Sequence, residues 1–262
     1  MTDKPLLLFL LLMGFSATAQ MSPRQDAPDP DFHIYLLMGQ SNMAGRGEVA
    51  GPFAKRSHRR VWMLDKQGAW QLARHPLHFD KPRMAGVGPG LAFGIRMAQS
   101  KRNVRIGLVP CAVGGTSIDR WNPGAFDKAT GTHPYDDALG RIRMAMKSGV
   151  IKGIIWHQGE SDSKPEAAED WLKKLEALIG RLREETKNDS LPFVAGQLGR
   201  YRENYQLINR QLDRLPGTVP RTAVVSSKGL KHKGDGTHFD SPSACRLGKR
   251  FAKAMRRLQQ TP

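Results

Sequence analysis

What most constrains this chain is a set of short, almost uninterrupted apolar runs at residues 32–38, 104–109, 150–156, 193–198 and 222–225, with a weaker one at 61–64. A strand with one wet face alternates apolar and polar side chains, whereas a run without alternation reads as a strand buried on both faces. Strands of that kind make up a parallel sheet covered on each side by helices, so the expected class is α/β with three layers. At 262 residues the chain suits one domain with a full core.

Amphipathic segments lie between the runs. The clearest is expected as a helix over 164–187, with Ser163 and Glu166 spaced as a capping box and Trp171, Leu172, Leu175, Leu178, Ile179 and Leu182 on one stripe. A second helix is expected after Asp240, with Pro242 in its first turn and Ala244, Leu247, Phe251, Met255 and Leu258 facing inward. Its other side carries Arg246, Lys249, Arg250, Lys253, Arg256 and Arg257 with no acid, which fits a solvated face and also a weak contact with polyanions. Gly86, Gly88 and Gly90 lack the lysine of a phosphate-binding loop and read as a plain turn before a helix.

The N-terminus reads as an export signal. Lys4 precedes the apolar run 6–15, and Ala17-Thr18-Ala19 supplies the small residues of a cleavage site, so cleavage is expected after Ala19, with an uncleaved anchor as the alternative. The run is too short to span a bilayer, and no stable membrane insertion is expected. Residues 20–31, with their prolines, read as a flexible leader, and 32–262 as the folded domain, secreted or periplasmic. Cleavage removes Asp3 and Lys4 together, so the net charge of +17 is retained. Export also permits Cys111 and Cys245 to pair, though each equally suits a buried free thiol.

Four clusters carry chemistry. Gly39-Gln40-Ser41-Asn42-Met43 follows the first strand and presents Ser41 where open α/β sheets collect ligands, although a capped turn would look the same. Met43 stands where the nucleophile elbow of α/β-hydrolases needs glycine, which argues against that fold. Gly234-Asp235-Gly236-Thr237-His238 spaces a carboxylate and an imidazole so that Asp235 can orient His238, and His238 can take a serine proton, although a surface turn would carry the same residues. Gly114 and Gly115, after another strand, suit backbone amides that approach an oxyanion, or a tight turn. His157-Gln158-Gly159-Glu160 ends a further strand, where Gln158 is a candidate side-chain donor and His157 and Glu160 read as buried support.

Together these four blocks, from Ile34 to Phe239, resemble the SGNH (GDSL-like) hydrolases, and within them the sialate O-acetylesterase and acetylxylan esterase group, carbohydrate esterase family six. The resemblance implies a three-layer αβα, flavodoxin-like sandwich around a central parallel sheet of about five strands. It also implies a nucleophile at Ser41, a base at His238 and an orienting carboxylate at Asp235, with the amides of Ser41 and Gly115 and the Gln158 side chain as oxyanion hole. Gln158 replaces the asparagine of SGNH enzymes at large, as is usual in this carbohydrate-active branch. Gln40, Asn42 and Gly114 would support the site, and Arg46, Arg120 and Trp121, just beyond the blocks, are candidate sugar contacts.

The expected activity is removal of acetyl groups from acetylated carbohydrate, without cofactor or metal. His75 and His78 lack the third ligand and general base of a zinc protease motif. At 7% aromatic residues and with no reading module, nucleic acid is not an expected partner despite the charge. A catalytically silent glycan-binding relative of the same fold is the rival reading, although no triad position is missing.

Overall fold

The computed structural model describes residues 27–260; the expected signal peptide and the leader as far as residue 26 lie outside the described residues. Seven strands form one sheet: β1 (Asp29–Gly39), β2 (Val61–Leu64), β3 (Trp70–Leu72), β4 (Arg105–Pro110), β5 (Gly149–His157), β6 (Phe193–Gly196) and β7 (Thr222–Val225). Their order is β3-β2-β4-β1-β5-β6-β7, parallel throughout except for the β2–β3 pair. The five strong apolar runs are the contiguous block β4-β1-β5-β6-β7, which is the flavodoxin order once the strands are renumbered among themselves. The weaker run supplies β2, and β3 extends the edge. Only three residues long and nowhere fully buried, β3 carries too little apolar signal to be seen in sequence.

β1 shows why its run is continuous. Phe32, Ile34, Leu36 and Met38 point into one core, and Tyr35 and Leu37 into the other, as the two-residue repeat of a strand requires. The strand begins at Asp29, within the stretch read as leader, where the Asp29 N–H donates to the Ser148 carbonyl at 3.2 Å.

The first core is covered by α3 (Pro134–Met146), α5 (Trp171–Glu185) and α6 (Tyr205–Thr218), the second by α2 (Pro89–Ser100) and α7 (Ser241–Gln260). Two further helices, α1 (Ser41–Ala44) and α4 (Pro165–Ala168), are single turns. The helix expected over 164–187 is thus divided into α4 and α5, and its capping box does not form. Ser163 Oγ donates instead to the Glu160 carbonyl at 2.9 Å, and α5 starts afresh at Trp171, whose indole N–H donates to Gln158 Oε1 at 3.0 Å. All six residues of the stripe are buried. α7 starts where expected, and the glycines at 86, 88 and 90 form the turn into α2.

Cys111 and Cys245 are both buried free thiols, one in each core, so the sheet separates them. Among the described residues no helix is long and apolar enough to cross a membrane.

Candidate active site

Because β4, β1 and β5 are parallel neighbours, the segments leaving their C-terminal ends meet at one rim. β1 delivers Ser41 there. Gly39 has φ +123°, and a Cβ on it would lie 2.1 Å from the His157 carbonyl oxygen, so only glycine lets the chain turn this close to β5. Ser41 then opens α1, its residue surface 6% exposed.

The loop between β7 and α7 returns His238 to the same rim, 197 residues away in sequence. His238 Nε2 lies 3.0 Å from Ser41 Oγ. His238 Nδ1 lies 2.7 Å from Asp235 Oδ2. A carboxylate accepts only, so Nδ1 carries the ring proton and Nε2 is left to receive the serine hydrogen. Asp235 Oδ1 meanwhile accepts the backbone N–H groups of His238 at 2.8 Å and Thr237 at 2.9 Å. Burial works to raise the Asp235 carboxyl, but these hydrogen bonds outweigh it and hold the group well below the ordinary carboxylate range. Asp235 therefore stays ionised as an orienting partner at any pH near neutral.

Asn42 fastens this turn to the sheet. Its amide Nδ2 donates to Glu160 Oε1 at 2.6 Å and to the Thr237 carbonyl at 3.0 Å, and its Oδ1 accepts the Phe239 N–H at 3.0 Å. Tyr201 Oη adds a second bond to the Thr237 carbonyl at 2.9 Å, and Arg202 Nε donates to the Gly236 carbonyl at 2.7 Å. The side chains of His157 and Glu160 lie on the buried floor of the site. His157 is fully buried, with Nε2 on the Gln197 carbonyl at 3.1 Å and Nδ1 3.6 Å from Glu160 Oε1. Gln40 is buried beside them, its N–H donating to the His157 carbonyl at 2.9 Å.

Beyond β4, Gly114 and Gly115 form the opposite lip. Gly114 N–H donates to Asp80 Oδ2 at 2.8 Å, and Gly115 has φ +90°, which glycine adopts without strain. The N–H groups of Ser41 and Gly115 take part in no hydrogen bond among the described residues.

Three expected roles are corrected. Gln158 is not a free donor: it is fully buried, and its Nε2 donates to the Thr116 carbonyl and to Asp162 Oδ2 while Oε1 accepts from Trp171. Both of its N–H bonds are thereby spent inside the protein. Arg46 is not a sugar contact, since its side chain and that of Asp80 are each 2% exposed and joined at 2.6 Å. Trp121 is not a stacking platform, because it is fully buried edge-on against Trp156 at 5.2 Å with its indole on Thr116 Oγ1. Arg120 remains exposed, donating to the Phe126 carbonyl at 3.1 Å.

Sequence reasoning missed Asp80, Asp162 and Tyr201. Asp80 bridges Arg46 and Gly114; burial pushes its carboxyl up, and the Arg46 guanidinium and Gly114 amide bring it below its ordinary value. No local pattern marks it, since it lies in a long loop 34 residues from either partner. Asp162 accepts the Ile118 N–H at 3.1 Å and the Gln158 amide, and stands directly after Glu160-Ser161, where its place was legible but its burial was not.

The chain is similar to known carbohydrate esterases in sequence and fold. A family model described as carbohydrate esterase, sialic acid-specific acetylesterase, matches residues 31–257. A probable carbohydrate esterase of Arabidopsis thaliana is 32% identical over 271 residues, covering 92% of this chain and 96% of its own. An X-ray structure of an Arabidopsis thaliana protein aligns with TM-score 0.77 at 30% identity, over 87% of this chain and 99% of that one. The crystal structure of NanS shares the fold, with TM-score 0.70 at 18% identity over 89% of this chain and 99% of its own. On the extent of the family match and the Arabidopsis relative, this chain belongs to the carbohydrate esterase, sialic acid-specific acetylesterase family.

Proposed function

We propose that this protein is an exported serine esterase that removes acetyl groups from carbohydrates, with Ser41 as nucleophile, His238 as base and Asp235 as orienting carboxylate. In this reading residues 1–19 are removed as a signal, a leader precedes β1, and the catalytic domain begins with β1 at Asp29. The observation that carries it is the pair of contacts at one imidazole, 3.0 Å to Ser41 Oγ and 2.7 Å to Asp235 Oδ2.

Ser41 Oγ attacks the acetyl carbonyl carbon as His238 Nε2 takes its proton. The carbonyl oxygen becomes an oxyanion held by the amides of Ser41 and Gly115, two donors fixed in place before the charge develops. Collapse expels the sugar oxygen, which leaves with the proton from His238. Water, deprotonated by the same nitrogen, then attacks the acetyl-serine; acetic acid departs and Ser41 regains its hydrogen. Because Gln158 is engaged elsewhere, this oxyanion hole rests on two backbone donors, with Gln158 bracing the Thr116 carbonyl beside them.

Acetate release from acetylated xylan, pectin, sialic acid and aryl acetates, compared between wild type and Ser41→Ala, tests the proposal. Wild type is expected to release acetate, and the variant to lose about 10⁴-fold or more in kcat. Equal rates in the two would remove Ser41 from the mechanism. No release from any ester by wild type would leave a glycan-binding relative as the better reading.

A further inference from the structure

Between residues 226 and 260 the chain carries nine Lys or Arg and only two acids, Asp235 and Asp240. Both acids are occupied internally, Asp235 by the His238 ring and two amides, Asp240 by the Ser243 N–H at 2.7 Å. Asp235 also meets Lys233 Nζ at 3.8 Å, and the segment's cations still outnumber its acids.

Their placement is ordered by α7. Its apolar side is consumed by the second core, leaving Arg246, Lys249 and Lys253 exposed on the outward side. Neither Lys249 nor Lys253 joins a salt bridge among the described residues. Arg96 crosses from α2 to join Lys249, Arg250, Lys253 and Arg256 around a groove of about 260 Å³ that has no acidic residue in its lining. Arg250 also reaches back to the preceding loop, donating to the Ser226 and Lys228 carbonyls, which draws exposed Lys228 alongside the helix. Ser243 Oγ accepts the Lys231 N–H at 2.9 Å, and Lys233 Nζ closes the line 3.8 Å from Asp235 Oδ2. The result is a strip of net positive charge running from the groove toward the catalytic turn, about 14 Å along α7 from Arg250 to Ser241 at 1.5 Å per residue, with Glu48 and Asp240 beside Lys233 at its far end.

Cations crowded in excess of counter-charge repel one another, and a polyanion laid along them relieves that repulsion while its own counter-ions are released. We infer that this strip docks an acidic polysaccharide, a carboxylate- or sulfate-bearing polymer, and keeps it beside the rim that holds Ser41. The passage of its acyl groups past Ser41 rests on the proposed esterase activity; the binding does not. Two other polyanions fit less well. Single-stranded nucleic acid is held by aromatic platforms, and the exposed large apolar side chains, Met84, Phe126 and Met144, all lie off the strip. A membrane-surface helix needs an apolar face to immerse, and that of α7 is already buried in the core.

The test uses the mature chain with fluorescent polygalacturonate as probe, titrated across a salt series. Wild type is expected to bind with an affinity that falls steeply with salt. Lys249→Glu/Lys253→Glu and, independently, Lys228→Glu/Lys231→Glu are each expected to weaken binding by about tenfold or more, because each reverses two charges on the strip. The control Lys147→Glu/Lys173→Glu, exposed on the opposite layer with α3 and α5, should stay within about twofold of wild type. All three pairs should hydrolyse a small aryl acetate at the wild-type rate, which certifies the fold. The inference is overturned if the strip variants bind like wild type, or if the control loses as much. Retention on anionic phosphatidylglycerol vesicles or on DNA, with no binding of polygalacturonate at the same salt, also overturns it. Absence of aryl acetate hydrolysis in wild type would sink the esterase proposal and leave the binding result to decide the strip.

Discussion

Asp162 is the residue whose environment differs most from what its place in a polar cluster suggests. It is 2% exposed, and burial pushes its carboxyl up to about 6 against the opposing hydrogen bonds from Gln158 and the Ile118 N–H. The folded chain thus holds this proton more tightly than the unfolded chain, where an aspartate titrates near its ordinary value of about 3.9. Stability from this group is fully present below about pH 4 and is lost as pH rises to about 6, a change of order 3 kcal/mol. Asp162→Asn cannot ionise, and its amide oxygen still receives the Ile118 N–H. Its Tm is therefore expected to rise relative to that of wild type between pH 4 and pH 7, whatever constant offset the substitution adds. Parallel Tm curves for the two proteins across that range would show that Asp162 does not titrate there.

At the scale of elements, the site is an agreement among three that have little sequence in common. α1 is one turn long, too short to hold a geometry by its own hydrogen bonds. Asn42 compensates by tying α1 to Glu160 beyond β5 and to both sides of His238 in the loop before α7. Asn42→Ala removes all three bonds and leaves buried groups without partners, a stability cost of about 1–3 kcal/mol. Its larger effect is expected on rate. Freed from Asn42, the imidazole drifts from Ser41 Oγ, and an error of about 1 Å in such a site costs about 100-fold in kcat. KM for a small aryl acetate should change little, since Asn42 faces the turn rather than the bound ester. Steady-state kinetics separate the two parameters, and a variant with wild-type kcat would show that Tyr201 and Arg202 hold the turn unaided.

For the molecule as a whole, the sheet is the divider. Cys111 lies in the core under α3 and α5, Cys245 in the core under α7, and the strands stand between them. Burial pushes the Cys111 thiol up to about 11, which further suppresses its thiolate. Two thiols per chain are therefore expected to react with a thiol reagent in denaturant and neither in the native state, with a Tm unchanged by reductant. A single bridge, or a reductant-sensitive Tm, would require the two cores to be joined in a way the sheet forbids. The same division keeps the basic outer side of α7 a separate surface, because that helix meets the sheet only through its apolar side.

The layers and the five principal strands were legible because each is written locally, whereas Ser41, Asp235 and His238 were put forward as a set by the resemblance that the four blocks carry, and the tertiary fold brings their side chains within 3.0 Å and 2.7 Å of one another. A strand buried twice must be apolar at every position, a stripe at helical spacing must face a sheet, and a block such as Gly39-Gln40-Ser41-Asn42 depends on its immediate neighbours. β3 was not legible, since its three residues gain their strand geometry from β2 alone. Nor were the positions of Gln158, Arg46 and Trp121, all polar or amphipathic side chains next to a site. Whether such a group faces a ligand or the interior depends on partners such as Asp162, Asp80 and Trp156, which lie elsewhere in the chain. Composition and periodicity report how much of a segment is buried, and so the sequence alone determined the layers. The direction of each polar side chain was decided by the tertiary fold, because a buried hydrogen bond needs its partner brought to about 3 Å.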